Sequence, residues 1–284
     1  MFLPENIDLA HSESYDLSIR LTPDGFSFYI YSAEDPSVFH YQETGMGTKF
    51  SYTENIKKLI FDLGFFSQPF NCTKVTVVSP RYTLVPAVFF DKKRTRELLQ
   101  YNFHAIDGMV LDSAVSPDGY HIVYQMDEEV HSFLSRNLWN PSFHHHASTL
   151  LPLFSNHASD RNNRSCFVDF HDDYVSVACF NQKELLSSNM FPATHPRDNL
   201  YYITNVLEKG NFDQSADTLF IMGRPAPQQT VIKELKEIIS QVEHIRLKPK
   251  VSITEEQQHS LSTDIWICWV KASLDTLNGK THWC

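Results

Sequence analysis

The chain has 284 residues, 42% hydrophobic and 20% charged, enough for one large domain or two ordinary ones around a buried core. Its formal net charge is −10, and its densest basic cluster is Lys92, Lys93, Arg94 and Arg96, so a nucleic-acid partner, which requires many neutralised phosphates, is not expected. Nine glycines leave few backbone positions for close approach to a phosphate, and no apolar run reaches the length of a membrane span, so no membrane insertion is expected.

Taken in order, the chain opens with an acidic lead-in broken by Pro4, which does not read as a signal peptide. Tyr15–Leu21 and Phe26–Ser32 are β-rich runs joined by Thr22-Pro23-Asp24-Gly25, a turn sequence. Val38–Gln42 supplies a third strand. Ser51 and Glu54 form a capping box, and Ile56, Leu59, Ile60 and Leu63 share one face of the helix that follows, with Gly64 placed to end it. Lys74–Ser79 is a buried-type strand stopped by Pro80. Next come a helix over Lys92–Phe103 capped by Asp91, a hairpin of Gly108–Val115 and Tyr120–Met126, a helix over Asp127–Leu138 and a strand over Phe143–Leu151. Residues 81–155 read as an insertion on the first half.

The polar stretch 155–165 is the expected boundary, which places a first half at 1–155 and a second at 156–284. The second half repeats the order of the first. Cys166–Phe191 holds three strands, and Phe26-Ser27-Phe28 matches Val175-Ser176-Val177. A helix over Pro196–Lys209 ends at Gly210, a buried strand at Thr218–Met222 runs into Gly223-Arg224-Pro225, and a helix is expected over Gln228–Val242. A short strand at His244–Leu247 and a final helix from Thr254 to about Leu277 complete it.

This plan resembles the actin-like ATPase superfamily: a mixed α/β fold of duplicated ribonuclease-H-like halves. Phe167-Val168-Asp169-Phe170-His171-Asp172-Asp173-Tyr174-Val175-Ser176-Val177 resembles its second phosphate hairpin, where an aspartate ends the first strand. Thr218–Gly223 resembles its adenosine strand, and Ile265–Leu274 its closing helix. The chain is similar to cytoplasmic scaffolds of the PilM and GspL type, and to a bacterial domain-of-unknown-function family with this fold. The resemblance implies a nucleotide cleft built from Asp169, His171, Asp172, Gly223 and Arg224.

Departures from the pattern count against its chemistry. Arg20 stands where the first loop would carry its Asp, and Phe170-His171-Asp172 stands where the second would carry glycines. Phosphates are held by backbone N–H groups that glycine-rich turns bring close, and three carboxylates without them repel a triphosphate unless Mg²⁺ intervenes. The cleft is therefore expected to be vestigial, with no catalytic residue and no resident cofactor, and the chain to act as a scaffold or protein-interaction module; an atypical ATP-binding protein or ATPase is the alternative. The protein partner is not specified, and a homodimer is left open.

Other motifs read more plainly. Asp169, His171 and Asp172 could hold a divalent metal but read better as a solvated strand corner. His144 and His146 share a strand face and could begin a zinc site, a metal-binding alternative that lacks further ligands. Gly45-Met46-Gly47 lacks the rest of a nucleotide-binding pattern, and no G-x-S-x-G is present. Phe65-Phe66 and Phe89-Phe90 read as core, Tyr201-Tyr202 as core or an exposed partner surface. Five cysteines without a CxxC pair read as reduced residues of a cytoplasmic protein.

Overall fold

A computed structural model describes residues 3–4 and 7–245, apart from 24, 33, 36–37, 116–118, 160–161, 172, 194 and 224–227. The expected final helix from Thr254 lies outside the described residues. The chain divides into two compact units, the break falling between Ser148 and Thr149.

The first unit is built on a five-stranded sheet of β1 (Asp16–Leu21), β2 (Gly25–Tyr31), β3 (Phe39–Gly45), β4 (Cys72–Val77) and β8 (Pro141–His145), in the order β3-β2-β1-β4-β8. β1 is antiparallel to β2 and parallel to β4, and β8 is parallel to β4. Leu17, Ile19, Phe28 and Ile30 bury its apolar side chains. Helix α1 (Tyr52–Asp62) seats Ile56 and Ile60 there, and Phe28 meets Phe65 edge-on at 5.0 Å. The expected capping box is present: Ser51 Oγ accepts from Glu54 N, and the Glu54 carboxylate accepts from Ser51 N. Gly64, at φ +71°, closes the helix, with Gly64 N donating to Phe61 O and Phe65 N to Ile60 O.

A separate antiparallel sheet, β5-β7-β6, is formed by β5 (Tyr82–Pro86), β6 (Met109–Ala114) and β7 (Tyr120–Met126). Val85, Leu99 and Val123 make its core, with Leu99 supplied by α2 (Thr95–Gln100). Lys92–Arg94 forms a turn of 3-10 helix before α2, so the helix expected over Lys92–Phe103 is shorter and two-part. Helix α3 (Glu128–Asn137) starts at the expected Asp127, whose carboxylate accepts from Val130 N. Of residues 81–155, the part that forms a sheet of its own is Tyr82–Met126, since β8 extends the main sheet.

The expected strand over Phe143–Leu151 is a correction. The strand stops at His145, and Ala147–Ala158 is helix α4. The cause is the apolar run Leu150-Leu151-Pro152-Leu153-Phe154, whose period does not separate a buried strand from a buried helix. Ser148 Oγ donates to His145 O at the switch.

The second unit repeats the sheet as β11-β10-β9-β12-β13, from β9 (Arg164–Phe170), β10 (Tyr174–Asn181), β11 (Glu184–Pro192), β12 (Thr218–Gly223) and β13 (Gln241–His244). Both faces of β9, β10 and β12 are buried, which explains their unbroken apolar runs. Ile203 and Leu207 of α5 (Pro196–Lys209) and Val231 and Leu235 of α6 (Gln229–Ile238) pack in one cluster with Val168, Val177 and Ile221. Phe154 of α4 stacks on Phe167 at 4.4 Å, and Phe167 stacks on Phe220. The helix expected over Gln228–Val242 ends at Ile238, because Ile239 is extended; the last strand among the described residues is Gln241–His244, and the expected His244–Leu247 strand lies partly outside them.

Candidate functional site

Strand register makes the duplication quantitative. Leu21 pairs with Phe26 and Val77, and Phe170 pairs with Val175 and Gly223. One residue back, Arg20 pairs with Ser27, and Asp169 with Ser176. Phe26-Ser27-Phe28 therefore occupies the register of Val175-Ser176-Val177, and Arg20 that of Asp169. The two corners also close alike: Thr22 N donates to Gly25 O at 3.1 Å and His171 N to Tyr174 O at 3.0 Å.

In the second unit this corner brings three of the expected site residues together. Asp169 lies one residue from the end of β9 and is 1% exposed; His171 is 7% exposed. His171 Nε2–H faces Asp169 Oδ2 at 2.9 Å, so the carboxylate accepts from the imidazole. The imidazole stacks on Tyr174 at 4.1 Å, with ring planes 17° apart. Tyr174 is absent from the residues chosen on sequence; its place at the first position of β10 was the available signal.

Gly223 ends β12 at φ +82°. A side chain there would place its Cβ 2.2 Å from Phe170 O and 2.5 Å from Asp169 Oδ1. This glycine thus lets β12 pass close to Asp169 and Phe170, a packing requirement internal to the chain. Asp172 and Arg224 lie outside the described residues.

A general base or metal ligand has to reach its substrate or ion. The Asp169–His171 pair turns Oδ2 and Nε2 to each other and the imidazole face to a tyrosine, while Asp169 Oδ1 is buried on the side of Gly223. Among the described residues, no group of three or more His, Cys, Asp or Glu side chains is placed to hold a metal ion. The metal-binding alternative is left without a ligand set there. His145 faces inward, with Nε2 2.9 Å from Ser79 O and its ring 4.6 Å from Tyr82 and 5.1 Å from Tyr124. Burial pushes its pKa down to about 4, so it is neutral.

The first unit holds the matching corner. A cavity of about 220 Å³ sits beyond the carboxyl ends of β1 and β4, lined by Thr22, Pro23, Tyr52, Val78 and Asp127 among others. Such strand ends are where ligands bind open α/β sheets. Among the described residues no Lys, Arg or Gly lines this cavity, and Tyr52 Oη donates to Thr22 O at 2.9 Å. The aromatic pairs are split: Phe65 is buried and Phe66 exposed, Phe90 is packed and Phe89 exposed, and Tyr202 stacks on Phe191 while Tyr201 is exposed.

Comparison with known proteins places this geometry. Residues 4–242 match the family described as "Protein of unknown function (DUF3822)", and the chain belongs to that family. A crystal structure from Bacteroides thetaiotaomicron, of a protein with actin-like ATPase fold and unknown function, is similar at TM-score 0.81 and 25% identity over 93% of this chain and 98% of that one. The structure of the PilM–PilN type IV pilus biogenesis complex is similar at TM-score 0.59 and 11% identity over 90% of this chain and 97% of its own. No curated protein matches the chain. The fold is the actin-like ATPase fold, a duplicated mixed α/β architecture.

Proposed function

We propose that this member of the family is a cytoplasmic protein-interaction module in which the actin-like nucleotide site has decayed. One observation carries the reading: at the corner resembling the second phosphate hairpin, Asp169 is buried against His171, and His171 against Tyr174. A triphosphate needs free backbone N–H groups there, and His171 N is engaged by Tyr174 O. The glycine of the adenosine-like strand has its own packing role, so its presence does not argue for a nucleotide. Similarity in fold to PilM, which occurs in a complex with PilN, supports a role in assembly, although fold alone does not carry function.

The test is nucleotide turnover by the full chain and by Asp169→Asn. The proposal predicts no Mg²⁺-dependent release of phosphate from ATP by either protein. Turnover by the parent chain that disappears in Asp169→Asn would establish the alternative, an atypical ATPase with Asp169 at its metal.

A further inference from the structure

The sheet β5-β7-β6 carries a surface feature that the nucleotide corner does not explain. β5 ends at Pro86, and Ala87–Phe89 makes one turn of 3-10 helix. Ala87 N donates to Gly119 O at 2.9 Å, and Phe90 N to Ala87 O at 3.2 Å. Phe90 turns inward and stacks on His121 at 3.6 Å, with planes 5° apart, against the core of Val85 and Leu99. The turn is thus pinned on both sides, yet Val88 is 85% and Phe89 74% exposed. Two adjacent large apolar side chains held out into water by an ordered turn call for an apolar phase to receive them.

Next to this tip lies the densest basic cluster of the chain. Asp91 Oδ1 accepts from Lys93 N and starts the turn Lys92–Arg94. The arginines are occupied: Arg94 Nε donates to Glu97 at 2.8 Å, and Arg96 Nη2 to Ile106 O at 2.8 Å. Lys92 and Lys93 are exposed, and among the described residues neither ammonium is in an ion pair. Tyr101, at the end of α2, is 77% exposed.

We propose that this tip docks on an anionic phospholipid surface, with Val88 and Phe89 dipping into the acyl boundary and Lys92 and Lys93 on the headgroup phosphates. The chemistry separates a bilayer from a protein partner. Protein interfaces favour arginine and are depleted in lysine, whereas here the arginines are tied internally and the free cations are lysines. Mobile ammonium groups suit a laterally fluid phosphate layer, and apolar side chains beside them suit its interior. The chain as a whole carries −10, so an anionic surface repels its other faces and selects this one. The contact is peripheral: no helix among the described residues is long and apolar enough to cross a membrane. The proposal is independent of how the nucleotide corner is read.

The experiment is co-sedimentation of the full chain with vesicles of phosphatidylcholine containing about one-third phosphatidylglycerol, and with pure phosphatidylcholine, at about 0.1 M salt. The parent chain is expected to pellet with the anionic vesicles and to stay in solution with the neutral ones. Val88→Asp with Phe89→Asp is expected to weaken the anionic binding at least about tenfold. Lys92→Glu with Lys93→Glu should weaken it comparably and flatten its salt dependence. All four positions are exposed, so circular dichroism should be unchanged. Failure of the parent chain to pellet with anionic vesicles overturns the proposal. So does binding that both double variants retain, or capture of a soluble acidic protein by this tip without vesicle binding.

Discussion

At the scale of single residues, Gly223 and His145 carry distinct consequences for stability. Gly223→Ala would push a methyl group into Phe170 O at a φ of +82°, so both space and backbone conformation oppose it. The expected loss is more than about 2 kcal/mol, read from the urea midpoint, with no change in any nucleotide property. His145 sets a pH dependence. Its pKa is about 4 in the folded chain against an ordinary 6.5, so the unfolded chain takes up a proton that the folded chain refuses. The stability from keeping it neutral is present in full above pH 6.5 and is lost as pH falls from 6.5 towards 4. Between pH 7 and pH 4.5 the loss from this group is about 2 kcal/mol, to be measured as urea unfolding at those two pH values. Burial also lowers the pKa of His40 and His131, so they act in the same direction. His145→Gln should flatten the curve over that window.

At the scale of elements, helix ends show what the sequence made legible. Ser51 and Glu54 announce α1, and Gly64 marks its end, because caps are local chemistry that needs no tertiary context. The same reasoning places the end of α5 at Gly210, which is its C-cap, although the left-handed residue lies one position on. Gly210 has φ −79°, while Asn211 takes the left-handed conformation at φ +49°, with Phe212 N donating to Leu207 O. Gly64→Ala should therefore cost about 1 kcal/mol, whereas Asn211→Gly should gain a few tenths, both read as shifts in the thermal midpoint. α4 was hidden for another reason: Leu150 to Phe154 is apolar throughout, and Pro152 suggests a break although it lies inside the helix. At the corner, Asp169 and the missing glycines were visible in sequence. The stacking of Tyr174 on His171 was not, because it depends on the return strand β10 bringing the two rings together.

At the scale of the whole molecule, two sheets with the same strand order carry corners with the same closing hydrogen bond and different contents. One holds Arg20 and Thr22 and a cavity that no described Lys, Arg or Gly lines; the other holds a buried Asp169–His171–Tyr174 stack. Retaining the architecture does not require retaining its chemistry, since the sheets are held by register and apolar burial while phosphate binding needs open backbone donors. Titration calorimetry of the full chain with Mg-ATP tests this most directly. The account predicts no saturable heat up to about 1 mM nucleotide, weaker than about 4 kcal/mol of binding. Saturable binding at micromolar concentration, abolished by Asp169→Asn with the fold intact, would contradict it.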